Sequence, residues 1–373
     1  MKIAILSSVY LPAINGVVRS IEANRGALEK LGHEVYVIAP KHRGYKDKEE
    51  RIKRFPVSVR IKKDYHLYLP FSRKIGRILK ESDVIHVQHP FLEAITALYR
   101  KRLYKKPVIF TYHSKYDEYS KSYIPYIGKN SYFRKALRVT VDRFCNSCNY
   151  VIAPSEGIKE MLLQRGIKTP IAVVPTGIEL SRFKADKNKI RRKYNIKGIL
   201  LLYLGRIAKD KNIDALLNVY EVISKKKKNV NLMIVGEIKD KRIIKKAKNL
   251  KNVIFTGVIS PGEVPEYYAA ADLFVSASQI ETQGITYAEA MASGLPIVAM
   301  GCWGSRDAVN EGKNGFITDS QEGFAEKIIL LSKDRKLRKK FSRESKRIAK
   351  RFDVKNTSRK LIAVYKKSIN RSL

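Results

Sequence analysis

The chain has 373 residues, 75 Lys and Arg against 35 Asp and Glu, and a formal charge of +40. That length suits two ordinary domains with buried cores, and 44% hydrophobic residues exclude a disordered basic tail. The charge fits an anionic partner: nucleic acid, a membrane surface or a phosphorylated substrate. A Lys-rich composition by itself would also produce it. Three cysteines exclude a disulfide framework. Cys145 and Cys148 form a CxxC with no second pair to complete a zinc site, and a reducing cytoplasm suits them. No run approaches the ~18 apolar residues of a membrane span, so membrane contact is expected to be peripheral. The amino terminus alternates like a strand and lacks the apolar core of a signal peptide.

In chain order, KIAILSS (2–8) reads as a buried strand, followed by a turn with Pro12, Asn15 and Gly16 and a helix near 17–31. EVYVIAP (34–40), DVIHVQ (83–88), PVIFTYH (107–113) and YVIAPS (150–155) are further strands, and 41–60 is charged and loop-like, with part of it open to strand. A second series follows IAVVPTGIE (171–179). Its strands are 199–206, 231–237, 252–258, 273–278 and 296–300, with a helix after Thr286 to about Ala292. A basic helical tail runs from about 321 to 350, and a last helix lies near 355–369. Strands alternating with helices predict an α/β fold of two doubly wound, Rossmann-like domains facing a central cleft. Residues 1–172 form the first, with the last helix (about 355–373) packing back on it; 173–354 form the second.

Four strand-end motifs could carry chemistry. Glu281 and Glu289 flank Gly284, just before a helix. The amides of Gly284, Ile285 and Thr286 then form a helix N-terminus suited to a diphosphate. Glu281 lies beside that anion site and Glu289 about two turns inside the helix; both suit sugar or ribose hydroxyls. Taken alone, this pattern is equally a capped helix with solvated glutamates. Arg206 and Lys211, in Gly205-Arg-Ile-Ala-Lys-Asp-Lys-Asn, could neutralise a departing diphosphate, or merely belong to a solvated basic loop. Asn15-Gly16 after the first strand lets backbone approach a ligand but is not GxGxxG. His113 ends a strand and could orient a substrate hydroxyl, although a lone His is more often structural.

In combination these residues resemble the family 4 retaining GT-B glycosyltransferases. The likeness rests on Asn15-Gly16, His113, Gly205-Arg206 with Lys211, FTG at 255–257, and Glu281 with Glu289, and covers essentially the whole chain. It implies that Arg206 and Lys211 bind the donor diphosphate, and that Glu289 holds the ribose. It implies also that Glu281 contacts the sugar and that His113 lies near the sugar 6-hydroxyl. Val258 would rest against the base, and Gly16 would let its loop close over the diphosphate. Such enzymes need no metal or other cofactor, and no Asp-x-Asp occurs here. The leaving phosphate oxygen would accept the acceptor's proton on the face of retention.

The acceptor is read from the first half. FSRKIGRILKES (71–82) sets Phe71, Ile75, Ile78 and Leu79 on one helical face and Arg73, Lys74, Arg77 and Lys80 around it, the pattern of a membrane-interface helix. The alternative is a helix packed on its own domain with a basic outer face. YRKRLYKK (99–106) and residues 123–145 mix aromatics with further cations, and 95–145 holds 12 Lys and Arg against 3 Asp and Glu, a bias suited to anionic lipid. SSVYLPAINGVVRSIE, HSKYDEY (113–119) and ETQGITYAEAMASGLP are similar to bacterial diacylglycerol glycosyltransferases. That likeness implies transfer of glucose or galactose from a UDP-sugar to the 3-hydroxyl of 1,2-diacylglycerol, at the cytoplasmic face of the membrane. Asp117 is then a candidate for ordering the acceptor loop. A soluble saccharide or phosphatidylinositol acceptor is the alternative within the family. A nucleotide-sugar epimerase lacks support from the paired glutamates, and no nucleic-acid-binding motif uses the charge.

Overall fold

The computed structural model describes residues 1–62, 65–68, 72–123 and 127–371. Phe71 and residues 124–126, part of the expected membrane segments, lie outside the described residues. The chain divides into two compact units, Met1–Gly177 with Val354–Leu373, and Ile178–Asp353.

The first unit runs β1 (Lys2–Leu6), α1 (Gly16–Lys30), β2 (Glu34–Pro40), β3 (Ile52–Phe55), β4 (Val57–Lys62), β5 (Tyr65–Tyr68), α2 (Arg73–Glu81), β6 (Val84–Val87) and α3 (Leu92–Tyr104). It continues with β7 (Val108–Thr111), α4 (Tyr116–Tyr123), α5 (Ser131–Ser147), β8 (Tyr150–Ala153), α6 (Glu156–Gln164) and β9 (Ile171–Val173). Its sheet is parallel, in the order β3-β2-β1-β6-β7-β8-β9, with β4 and β5 as a separate antiparallel pair. The central strands β1, β6 and β7 are buried nearly throughout and mostly apolar because helices cover both faces of a parallel sheet. Asn15 caps α1 by accepting from the Val18 amide at 3.0 Å, and Ser72 and Ser155 cap α2 and α6 in the same way. The helix Val354–Asn370 packs on α1, β6 and β7, and its Leu361, Val364 and Tyr365 join the core of Ile3, Ile5, Val35 and Val37.

The second unit runs α7 (Lys187–Lys193), β10 (Ile199–Leu204), α8 (Ile213–Lys226), β11 (Val230–Val235), α9 (Arg242–Ala247), β12 (Val253–Gly257), α10 (Val264–Ala270) and β13 (Leu273–Ser276). It ends with α11 (Ile285–Ala292), β14 (Ile297–Met300), α12 (Trp303–Ala308), β15 (Gly315–Thr318), α13 (Gln321–Lys333) and α14 (Arg335–Ala349). The parallel sheet has the order β12-β11-β10-β13-β14-β15, with one apolar cluster on each face. The fold is therefore two doubly wound α/β units, as the sequence predicts. The single helix expected over 321–350 is two. Asp334 takes extended backbone, ends α13, and caps α14 by accepting from the Leu337 amide at 2.8 Å.

Candidate functional site

Ligands of doubly wound sheets bind outside the carboxyl ends of the strands, where the strand order reverses. In the second unit that point lies between β10 and β13. The loop after β10 carries Arg206 and Lys211; the loop after β13 carries Glu281. Lys211 Nζ donates to Glu281 Oε1 at 2.6 Å, so one ion pair spans the reversal. Burial pushes the Glu281 carboxyl up, but the Lys211 ammonium and hydrogen bonds from Lys211 and Ser278 outweigh it and hold the group below its ordinary range. Arg206 donates to Asp210 at 3.1 Å, and Lys211 lies 3.8 Å from the same carboxylate. Two cations are thus oriented by two carboxylates at the ligand end of the sheet.

Gly284 precedes α11 with φ +69, and a Cβ there would lie 2.6 Å from the Tyr287 ring, so only glycine fits the turn. The first amides of α11, those of Ile285 and Thr286, lie at the positive end of its dipole, while the Tyr287 amide donates to the Gly284 carbonyl at 2.9 Å. Glu289 is the fifth residue of α11, so it stands about one turn inside rather than two. It is fully buried, and Oε2 accepts from the Tyr268 hydroxyl at 2.9 Å. Val258 follows β12 with 71% exposure. The structure thus gathers Arg206, Lys211 and Glu281 directly and sets Gly284, Ile285 and Thr286 in the loop-to-helix turn that follows Glu281. Asp210, Ser278 and Tyr268 escaped the sequence reading. Asp210 carries a helix-like signal, four residues after Arg206, whereas Tyr268 stands 21 residues before Glu289 with no local sign of the pairing.

In the first unit the reversal lies between β1 and β6. Gly16 opens α1, and a Cβ on it would meet nothing within 4 Å, so the unit's own packing does not require glycine there. His113 follows β7 and donates its Nε2–H to Gln88 Oε1 at 2.7 Å. That bond leaves Nδ1 as the acceptor nitrogen, and burial lowers the pKa of His113 to about 4, so the ring is neutral. Asp117 sits on α4, and its electrostatic neighbours are Arg165, Asp142 and Tyr112, while the adjacent Glu118 pairs with Arg134 of α5 at 3.6 Å.

The membrane-helix expectation for 71–82 needs correction. Arg73, Lys74, Arg77 and Lys80 are exposed, but Ile75, Ile78 and Leu79 are buried in the unit's own core, with α2 packed on α3. The apolar face cannot enter lipid without unfolding the helix from the sheet; α2 offers charge alone. The exposed apolar side chains lie elsewhere. Ile95, Tyr99 and Leu103 form a stripe on α3, each more than half exposed, and Tyr132 and Val139 are exposed on α5. Among the described residues no helix is long and apolar enough to cross a membrane.

Residues 14–182 match the family model described as Glycosyltransferase Family 4, and residues 186–348 the model described as Glycosyl transferases group 1. The chain is similar to an alpha-monoglucosyldiacylglycerol synthase of Streptococcus pneumoniae, with 36% identity over 319 residues, 81% of this chain and 71% of that protein. A second protein of that description, from Acholeplasma laidlawii, is 29% identical over 351 residues, 88% of this chain and 87% of its own. Anabaena HepE, crystallised with UDP and glucose, superposes with a TM-score of 0.79 at 18% identity, over 98% of this chain and 100% of its own, a likeness of fold.

Proposed function

The chain belongs to the family 4 GT-B glycosyltransferases, and from that membership we propose that it transfers glucose from UDP-glucose to the 3-hydroxyl of 1,2-diacylglycerol. The observation that carries this reading is the likeness to two alpha-monoglucosyldiacylglycerol synthases over most of the chain. The Lys211–Glu281 pair beside α11 supports the donor half. Arg206, Lys211 and the first-turn amides of α11 would take the charge that grows on the diphosphate as the sugar–oxygen bond breaks. These groups do the work a metal does elsewhere, and we propose that catalysis is metal-independent. Glu289 would accept from the ribose hydroxyls and Glu281 from the sugar. His113, neutral and at the end of β7, would lie near a sugar hydroxyl. The acceptor hydroxyl would attack C1 on the face the diphosphate leaves and pass its proton to the departing phosphate oxygen, with retention at C1.

Peripheral contact with the cytoplasmic membrane surface follows from an acceptor that lives in lipid. The apolar stripe on α3 and the cations on α2, α3 and α5 support it. Incubating the protein with UDP-glucose, UDP-galactose or GDP-mannose, each with diacylglycerol in anionic vesicles and with EDTA, tests the whole reading. A monoglucosyl-diacylglycerol product from UDP-glucose is the expected result. Transfer only to a soluble sugar, without lipid, would refute the acceptor, and inhibition by EDTA would refute metal independence.

A further inference from the structure

Each unit has polar side chains paired across its strand-order reversal. In the second unit they are Lys211 and Glu281. In the first, Ser8 lies two residues beyond β1, and Glu93 is the second residue of α3, the helix that follows β6. The Ser8 hydroxyl donates to Glu93 Oε1 at 2.5 Å. Beside it the Ser8 amide donates to His89 Nδ1 at 3.2 Å, and the His89 ring stacks on Phe91. Burial lowers the pKa of His89 to about 3, so this neighbour is neutral. Glu93 has 0% exposure, and its Oε2 has no hydrogen-bond partner among the described residues. No Lys or Arg contributes to its titration; burial, the Ser8 hydrogen bond and its own amide do.

A buried carboxyl with one oxygen unused is destabilising, which an apolar side chain of similar volume would not be. The group stands at the place where this fold binds ligands. An anionic ligand would meet a carboxyl with no cation beside it. A neutral alcohol fits Oε2 in either protonation state of the carboxyl, since a hydroxyl both donates and accepts.

We propose that the β1–β6 reversal holds a hydroxyl-binding subsite for the acceptor, in which Ser8 holds Glu93 Oε1 and Glu93 Oε2 hydrogen-bonds a neutral acceptor alcohol. It rests on the transferase reading above. Glu93 takes no proton in this scheme; it orients the acceptor, whose reacting proton leaves with the diphosphate.

The test is steady-state transfer from UDP-glucose to dioleoylglycerol in detergent micelles, with the wild-type chain, Glu93→Gln, Glu93→Leu and Ser8→Ala. UDP binding by calorimetry reports the fold and the donor half. Glu93→Leu should raise the acceptor KM by about ten-fold or more, Glu93→Gln by less, and UDP affinity should stay within about two-fold. An unchanged acceptor KM in Glu93→Gln and Ser8→Ala overturns the subsite, even if Glu93→Leu does not fold. Loss of UDP affinity in parallel overturns it as well. If the wild-type chain ignores dioleoylglycerol but glycosylates another alcohol, the diacylglycerol reading fails, and the same comparison with that alcohol decides the subsite.

Discussion

Replacing Glu93 by Gln should change how stability depends on pH. In the folded chain burial pushes the Glu93 carboxyl up to about 7, against an ordinary value of 4.5, with the Ser8 hydrogen bond and its own amide pulling the other way. A raised folded value means that the fold favours the protonated form. The stability this gives is fully present below pH 4.5 and is lost as pH rises through 7. The gap of about 2.5 pH units, at about 1.4 kcal/mol each, makes about 3 kcal/mol. Gln keeps the shape and does not titrate. Urea unfolding of both proteins from pH 4.5 to 8 should therefore show the wild-type chain losing about 3 kcal/mol relative to the variant. His86, His89 and His113, all neutral in the fold because burial lowers them, also shape the pH dependence, but equally in both proteins, so the difference isolates Glu93. A difference that stays constant across that range would refute the buried-acid account.

Lys211→Ala and Glu281→Ala should each cut turnover by about 100-fold or more with the fold intact, measured by product formation beside circular dichroism. Near-normal activity in either removes that residue from the site. Tyr268→Phe removes the hydroxyl that holds Glu289 Oε2, and should raise the donor KM several-fold, by about 1 kcal/mol, with kcat unchanged. An equal fall in kcat would mean that the hydroxyl does more than hold the carboxylate. Replacing Arg73, Lys74 and Arg77 together by Ser should weaken sedimentation with anionic vesicles, at about 1 kcal/mol per charge, and leave activity on micelle-dispersed lipid unchanged. Loss in both assays would show that these cations act on something other than a charged bilayer.

All ten strands read from apolar runs are present, because a strand covered on both faces is largely apolar and so announces itself. The short strands β3, β4, β5, β9 and β15 do not announce themselves: Gly315–Thr318, for instance, is four residues with no flanking pattern, and pairing with β14 makes it a strand. The Glu281–Lys211 pair was legible as two strand-end motifs, although not as a contact, since 70 residues separate them. The amphipathic pattern of α2 was legible too, but periodicity reports only that one face avoids water. Whether lipid or the protein's own sheet covers that face is a tertiary fact, and here Ile75, Ile78 and Leu79 lie in the core. Glu93 stood outside every motif because a single Glu at the start of a helix reads as a favourable first-turn charge; its burial against a serine 85 positions earlier belongs to the fold alone.

The closing helix, Val354–Asn370, has a consequence for synthesis. The second unit is one continuous stretch, Ile178–Asp353, whereas the first also needs the helix Val354–Asn370, which is made after it. Until then the face of β6 and β7 that this helix covers, and the pockets for Leu361, Val364 and Tyr365, are open to solvent, and buried His86 lacks the Tyr365 hydroxyl that meets its Nδ1 at 2.8 Å. On the ribosome the order of completion is therefore the reverse of the order of translation: the later-made unit can close first, and the earlier one waits, apolar surface exposed, for the final helix to seal it.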